Sequence, residues 1–246
     1  PDSNVSTIFI RPLDSYDSRP LVRNVWSTVM FSLDGQSIIY NRRNQIMRIS
    51  VTGGAPVAIG DASTPIGMSW SPDDDLYFAN SMEGGISKIR SGSDSAETVV
   101  TPDTSLGEVS IRFPSVLPDG KSMLLTVKYR TTDSFDNANI ILFDIASGKR
   151  KTLISGGTYA RYVPTGHIVY VRGGFLLAIP FDAASRELAG QPHDLFAGGM
   201  MLQESGAAIF DISETGTLIY APGGPAQSQQ QTVEWLTLRN ESIPVI

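Results

Sequence analysis

Two histidines and no cysteine leave few side chains able to carry covalent or acid–base chemistry. The lack of cysteine excludes a disulfide scaffold, a thiolate metal centre and a thiol nucleophile. His167 follows the Thr165-Gly166 pair and opens an apolar run. That setting suits a hydrogen-bonded turn histidine better than a general base. His193 stands beside Asp194, but successive residues of an extended strand point to opposite faces, so adjacency makes no dyad. Ser27, Ser69 and Ser115 lack a nucleophile-elbow pattern, which leaves serine hydrolysis unsupported.

Carboxylates are more plentiful. Asp73-Asp74-Asp75 is the densest group and could hold Ca²⁺ together with backbone carbonyls. It lacks the alternating ligand spacing of such loops, and solvent exposure alone relieves its repulsion. Asp133, Asp136 and Asn137 lie in a polar insertion over residues 130–138, either a flexible tip or a finger for a partner. The adjacent methionines of the run 198–202 read as core, with an adaptable binding surface as the sharper alternative. No catalytic, metal-binding or cofactor-binding residue is assigned on these grounds, and no cofactor is expected.

The elements that would position these residues come from a repeat. A Ser or Pro step, a tight turn and an apolar run recur five times, as in Phe31-Ser-Leu-Asp-Gly-Gln-Ser-Ile-Ile-Tyr40 and Val116-Leu-Pro-Asp-Gly-Lys-Ser-Met-Leu-Leu125. The turn markers Asp34, Asp73, Asp119, Thr165 and Thr215 are spaced by 39, 46, 46 and 50 residues. A short polar side chain bonds the local backbone there, and the glycine that usually follows accepts a positive φ. Each marker is followed by a second pair of apolar runs, such as Gln45–Val51 with Pro56–Ile59. Alternation in Ile46-Met-Arg-Ile-Ser-Val reads as half-buried strand.

Four short strands per repeat predict an all-β chain, a β-propeller of four-stranded antiparallel blades. One blade cannot cover both of its own faces, and stacking around an axis does so. Five inner hairpins and six outer pairs are visible, because 7–13 with 19–22 also fits the outer pattern. The expectation is therefore five full blades plus a half blade of a six-bladed type. It is expected to form a single domain over 1–246 that begins inside a blade of a longer protein. The strands leading into the markers, Ser27–Phe31 and Gly67–Trp70, are expected innermost. Trp70, Phe31, Phe113, Tyr162 and Phe210 are expected between blades. The strand Ile8–Leu13 is left with an open edge, a template for strand addition by another chain. The polar run Pro222–Gln231 reads as a surface loop rather than a domain linker.

The net charge of −6 and pI near 4.9 disfavour a nucleic-acid partner and docking on anionic lipid. The longest apolar run, Phe175–Phe181, includes Pro180 and falls far short of the ~20 residues that span a bilayer, so no direct membrane insertion is expected. The first twenty residues contain no apolar leader core.

The Ser-Pro-Asp-Gly type marker resembles the TolB-like, WD-type propeller repeats of bacteria. The segments Ile8–Asp14, Gly156–Tyr170, Gly173–Asp182 and Ser213–Tyr220 further resemble propeller regions found C-terminal to bacterial transmembrane serine/threonine protein kinases and related regulators. The resemblance implies a periplasmic or otherwise extracytoplasmic module that senses a ligand or binds protein. No kinase signature accompanies it. The expected function is thus a non-enzymatic scaffold for a protein partner or small ligand, with a membrane protein complex among the expected partners. The rival is a propeller hydrolase or lyase, or the gating propeller of a peptidase. A metal-dependent lactonase would need acid and amide ligands converging on the channel, for which Asn24, Asp61 and Glu108 are the candidates.

Overall fold

A computed structural model describes residues 6–25, 28–197, 201–202, 205–213, 216–220, 233–236 and 242–245. The chain runs as successive antiparallel meanders. β1 (Ser6–Ile10) and β2 (Arg19–Val25) make an N-terminal two-stranded hairpin. The first four-stranded sheet holds β3 (Val29–Phe31), β4 (Ser37–Arg42), β5 (Gln45–Ser50) and β6 (Val57–Asp61). The second holds β7 (Met68–Trp70), β8 (Leu76–Ala79), β9 (Ile86–Ile89) and β10 (Ala96–Val100). The third holds β11 (Glu108–Val116), β12 (Ser122–Tyr129), β13 (Asn139–Asp144) and β14 (Arg150–Ser155). In the fourth, β15 (Thr158–Val163), β16 (His167–Arg172) and β17 (Phe175–Asp182) are followed by β18 (Glu187–Leu188) and β19 (His193–Ala197), both paired with β17. The short pair β20 (Met201–Leu202) and β21 (Ala207–Ala208) leads into the last sheet. That sheet contains β22 (Phe210–Ile212), β23 (Leu218–Tyr220), β24 (Val233–Leu236) and β25 (Ser242–Val245). Among the described residues no helix is long and apolar enough to cross a membrane.

The markers Asp34, Asp73, Asp119 and Thr165 all fall in equivalent hairpin turns; Thr215 lies outside the described residues. In each turn an amide donates three residues back: Gly35 to Ser32, Asp74 to Ser71, Gly120 to Leu117, Gly166 to Val163 and Gly216 to Ser213. The donor residue has a positive φ in every case, between 62° at Asp74 and 85° at Gly216. This is a type I turn closed by a left-handed residue; the loop is three residues long where the Ser71 amide donates to Asp75 O and Val163 pairs with His167, and four residues long where the Ser32 amide donates to Ser37 O and that of Leu117 to Ser122 O. The Asp34 carboxylate accepts from the Ser32 hydroxyl and the Gln36 amide, and Asp119 accepts from the Lys121 amide.

The second strand of each hairpin is apolar on both faces, and its alternation stitches the sheets together. Tyr40, Phe78, Leu125, Tyr170 and Tyr220 occupy equivalent positions, and each joins the apolar cluster shared with the preceding sheet. The residue before, as in Ile39, Tyr77, Leu124 and Val169, joins the cluster shared with the following sheet. Five clusters thus link the hairpin and the five sheets in chain order. Burying each such side chain is worth roughly 1.5–3 kcal/mol.

The aromatic residues expected between sheets divide. Phe113 and Phe210 are buried in the inter-sheet clusters, and Trp70 and Tyr162 pack half-buried against theirs. Phe31 is a correction, because it is 55% exposed. It and Val29, 45% exposed, lie on the face of β3 turned towards the β1–β2 pair. Their counterparts Trp70, Val116, Tyr162 and Ile212 are each covered by a sheet with inner strands. The two-stranded hairpin has none to offer among the described residues. Phe113 and Phe210 also do not share a register with Trp70. Phe113 sits four residues before its turn, in a β11 bulge with φ of 54°.

Candidate binding site

The first strands of four sheets converge on one cavity of about 520 Å³, lined by residues of β3, β7, β15, β22 and β23 and their flanks. The strands expected innermost are therefore the ones that face it, although Ser27 lies outside the described residues. The backbone there is shaped by a recurrent kink. Gly67, Phe113 and Tyr159 occupy the same place before their turns and all have positive φ, at 81°, 54° and 58°. In β11 and β15 the kink coincides with a register shift against the neighbouring strand.

The kink aims aromatic rings along the inside of the stack. Phe113 and Tyr159 lie 5.0 Å apart between centroids, and Tyr159 and Phe210 lie 5.3 Å apart at 74°. Such tilted and edge-on pairs favour the ring quadrupoles. A side-chain hydroxyl bridges adjacent sheets at several points. Thr28 Oγ1 donates to Pro65 O and accepts from the Gly67 amide, Ser69 Oγ accepts from the Val116 amide, and Thr126 Oγ1 accepts from the Tyr159 amide.

Two charges stand in this apolar surround, Arg161 and Asp211, each two residues before the residue that opens its turn. The Arg161 guanidinium lies over the Tyr159 ring, with Cζ 4.1 Å from the centroid, and Nη1 donates to Ala160 O at 3.1 Å. It has no carboxylate partner among the described residues. Asp211 is exposed and accepts from the Ile212 amide. The remaining lining is mostly apolar, with Met30, Met68, Ile209 and Ile219 prominent.

At Arg112 the arrangement is different. Arg112 is buried, and its guanidinium donates to Ser110 Oγ, Ser205 O and Met82 O. Burial pushes its pKa down. The insertion over residues 130–138 closes over it. Phe135 is buried within a 3₁₀ turn (Phe135–Asn137), and its ring meets both Arg112 Cζ and Lys128 Nζ at 4.9 Å. Asp136 accepts from the Gly173 amide at 2.6 Å and Asp133 from Asn137 Nδ2 at 3.0 Å. The insertion is a pinned cap rather than a free tip.

The other sequence candidates are spent on local structure. Asn24 is exposed on β2 with φ of 62°, and Asp61 is exposed at the end of β6. Glu108 is buried at the start of β11, where it accepts from Arg150 Nη1 at 2.6 Å and the Asp103 amide at 2.7 Å. The structure does not bring these three together. Asp75 pairs with Lys88 at 3.4 Å and accepts from the Ser91 amide, while Asp73 and Asp74 face solvent in their turn. His167 Nδ1 lies 3.0 Å from Thr165 O, within its own turn. His193 and Asp194 are exposed on β19, and Ser115 is buried away from both histidines' strands. Met201 packs half-buried against the last inter-sheet cluster; residues 198–200 and 222–231 lie outside the described residues.

Neither the cavity nor Arg161 was singled out in the sequence. Arg161 falls inside the Gly156–Tyr170 segment, and the Tyr-Ala-Arg-Tyr alternation at 159–162 carried the signal that Tyr159 and Arg161 share one face.

No protein-family model and no curated protein matches the chain. Solved structures do. It is similar to TolB from Acinetobacter baumannii, with a TM-score of 0.72 at 16% identity, over 96% of this chain and 58% of that one. The chain thus spans somewhat more than half the length of that TolB. A putative TolB from Agrobacterium tumefaciens also gives 0.72, at 14% identity over 94% and 84% of the two chains. A luciferin-regenerating enzyme gives 0.61 at 12% identity, over 90% and 75%. At such identities the likeness is one of fold, and the fold is a TolB-like β-propeller.

Proposed function

We propose that the chain is a non-enzymatic binding module, a propeller scaffold or sensor that works outside the cytoplasm. It presents its axial cavity to a protein partner or small ligand, in a membrane-associated complex. The observation that carries this reading is the lining of the cavity. Aromatic, methionine and aliphatic side chains surround one cation and one exposed carboxylate. This is the composition of a recognition pocket, apolar with a few placed polar groups. The acid and amide side chains that metal-assisted hydrolysis would need, Asn24, Asp61 and Glu108, lie on separate elements, with Glu108 committed to Arg150. The extracytoplasmic setting is supported by the resemblance of the sequence motifs.

The test places a photoreactive benzoylphenylalanine at Ile219, in the cavity, or at Val57, exposed on β6, in the full-length protein expressed in cells. Intact-mass analysis after illumination should find adducts at position 219 and not at 57. Equal labelling at both positions, or none at 219, overturns the axial site. Turnover of lactones that a chelator abolishes overturns the non-enzymatic reading. Protease treatment of spheroplasts should digest the propeller while the inner membrane stays intact; protection there overturns the location.

A further inference from the structure

We propose that the axial cavity recognises a small monocarboxylate with an aromatic or branched apolar body, held by Arg161. The inference rests on the axial cavity being the recognition site and adds the chemical class of its ligand. Arg161 is half-buried, and its one hydrogen bond among the described residues, Nη1 to Ala160 O at 3.1 Å, accounts for only part of a five-donor fork. Its place over the Tyr159 ring, with Cζ 4.1 Å from the centroid, engages the face of the ring and commits none of the N–H donors. A guanidinium fork matches a carboxylate in bidentate fashion. This sets it apart from Arg112, whose donors are already taken by Ser110, Met82 and Ser205. The basic side chains with carboxylate partners, Lys88, Arg90, Arg150, Lys151 and Arg186, are by contrast committed to ion pairs.

The rest of the wall decides what the carboxylate is attached to. Phe210, Met30 and Met68 offer aromatic and thioether surface that accommodates varied apolar shapes. A volume of about 520 Å³ admits a molecule well above the size of a single side chain. Asp211 decides how many charges are admitted. It lies at the equivalent position of the next inner strand and forms no ion pair with Arg161. A second negative charge on the ligand would meet this carboxylate, so dianions are disfavoured.

Isothermal calorimetry on the purified protein with three probes tests this: 3-phenylpropionate, its neutral amide and phenylsuccinate. Saturable binding of 3-phenylpropionate, at least tenfold tighter than the amide and tighter than phenylsuccinate, is expected. Arg161→Gln should lose that tenfold preference, and Asp211→Asn should close the gap between the mono- and dicarboxylate. No saturable binding, or equal binding of acid and amide to the unaltered protein, overturns the proposal without reference to any variant's folding. So does an Arg161→Gln protein that melts normally and keeps its preference. A silent calorimeter together with adducts at position 219 defeats the ligand class alone, whereas silence in both defeats the axial site as well.

Discussion

Asp74 holds the left-handed position that Gly35, Gly120, Gly166 and Gly216 fill in the equivalent turns. A side chain there is strained, less so for Asp than for most residues. Its contact with the Ser91 hydroxyl, 3.4 Å away on the surface, contributes little in return. Asp74→Gly is therefore expected to raise unfolding stability by about 0.5–1 kcal/mol in a urea titration, with unchanged slope. A loss of stability would mean that the carboxylate is more than turn punctuation. Tyr170 offers a second residue-level test. Its ring is fully buried, and its hydroxyl has no hydrogen-bond partner among the described residues. Burial accordingly pushes the phenol pKa up. Removing an unsatisfied hydroxyl while keeping the ring should be neutral or stabilising by up to ~1–3 kcal/mol, so Tyr170→Phe should melt no lower than the parent. Tyr170→Ala should lose roughly 3–5 kcal/mol, as large aromatic truncations do.

At the scale of elements, the insertion over residues 130–138 depends on one small neighbour. A Cβ at Gly206, where φ is 75°, would overlap the Phe135 ring. Gly206→Ala should lower the melting temperature more than Phe135→Ala changes it in a Gly206→Ala background. A double-mutant cycle should give a coupling of ~1 kcal/mol or more. Additive effects would place the two residues apart in solution. Such contacts also mark where sequence reasoning stops. The turns were legible, because Asp-Gly and Thr-Gly between apolar runs have one economical backbone solution. The aromatic register was not. The kink at Gly67, Phe113 and Tyr159 inserts a residue at positions sharing no residue type, so nothing in the spelling marks the bulge. The tyrosines that end three of the repeats, Tyr40, Tyr170 and Tyr220, were the better inter-sheet signal. They sit on the central strand that both neighbours cover, whereas Phe31 depends on one neighbour alone. The cavity joins residues near 30, 68, 160 and 210, and convergence over such separations is a property of the ring rather than of any segment.

For the molecule as a whole, acid should be a general threat, because carboxylates bind turns and neighbouring sheets throughout. Asp144 is the clearest case. The Ser147 amide and hydroxyl, and after them Arg186, hold its pKa down to about 2 from an ordinary 3.8. Asp34, Asp103, Asp133 and Asp182 are lowered too, the Ser and Asn side chains beside them being the main cause. A depressed folded-state pKa contributes stability above the unfolded value and loses it as pH falls through the folded one. Melting temperature should thus be steady above about pH 5 and drop between about pH 4 and 2, with a shallower drop for Asp144→Asn. A flat profile over that window would contradict the turn geometry. The five apolar clusters also connect the sheets in file, each to the next, and this has a kinetic meaning. Nearest-neighbour coupling lets opening begin at a terminus and travel inwards, as in a solenoid. Among the described residues the β1–β2 hairpin is held by one apolar cluster and by Arg19 donating to Val51 O, beside the exposed side chains of Val29 and Phe31. Native-state amide exchange should therefore be graded, fastest in β1 and slowest in β12 and β16. Equal protection from β1 to β16 would mean that this end of the file is clasped as firmly as its middle.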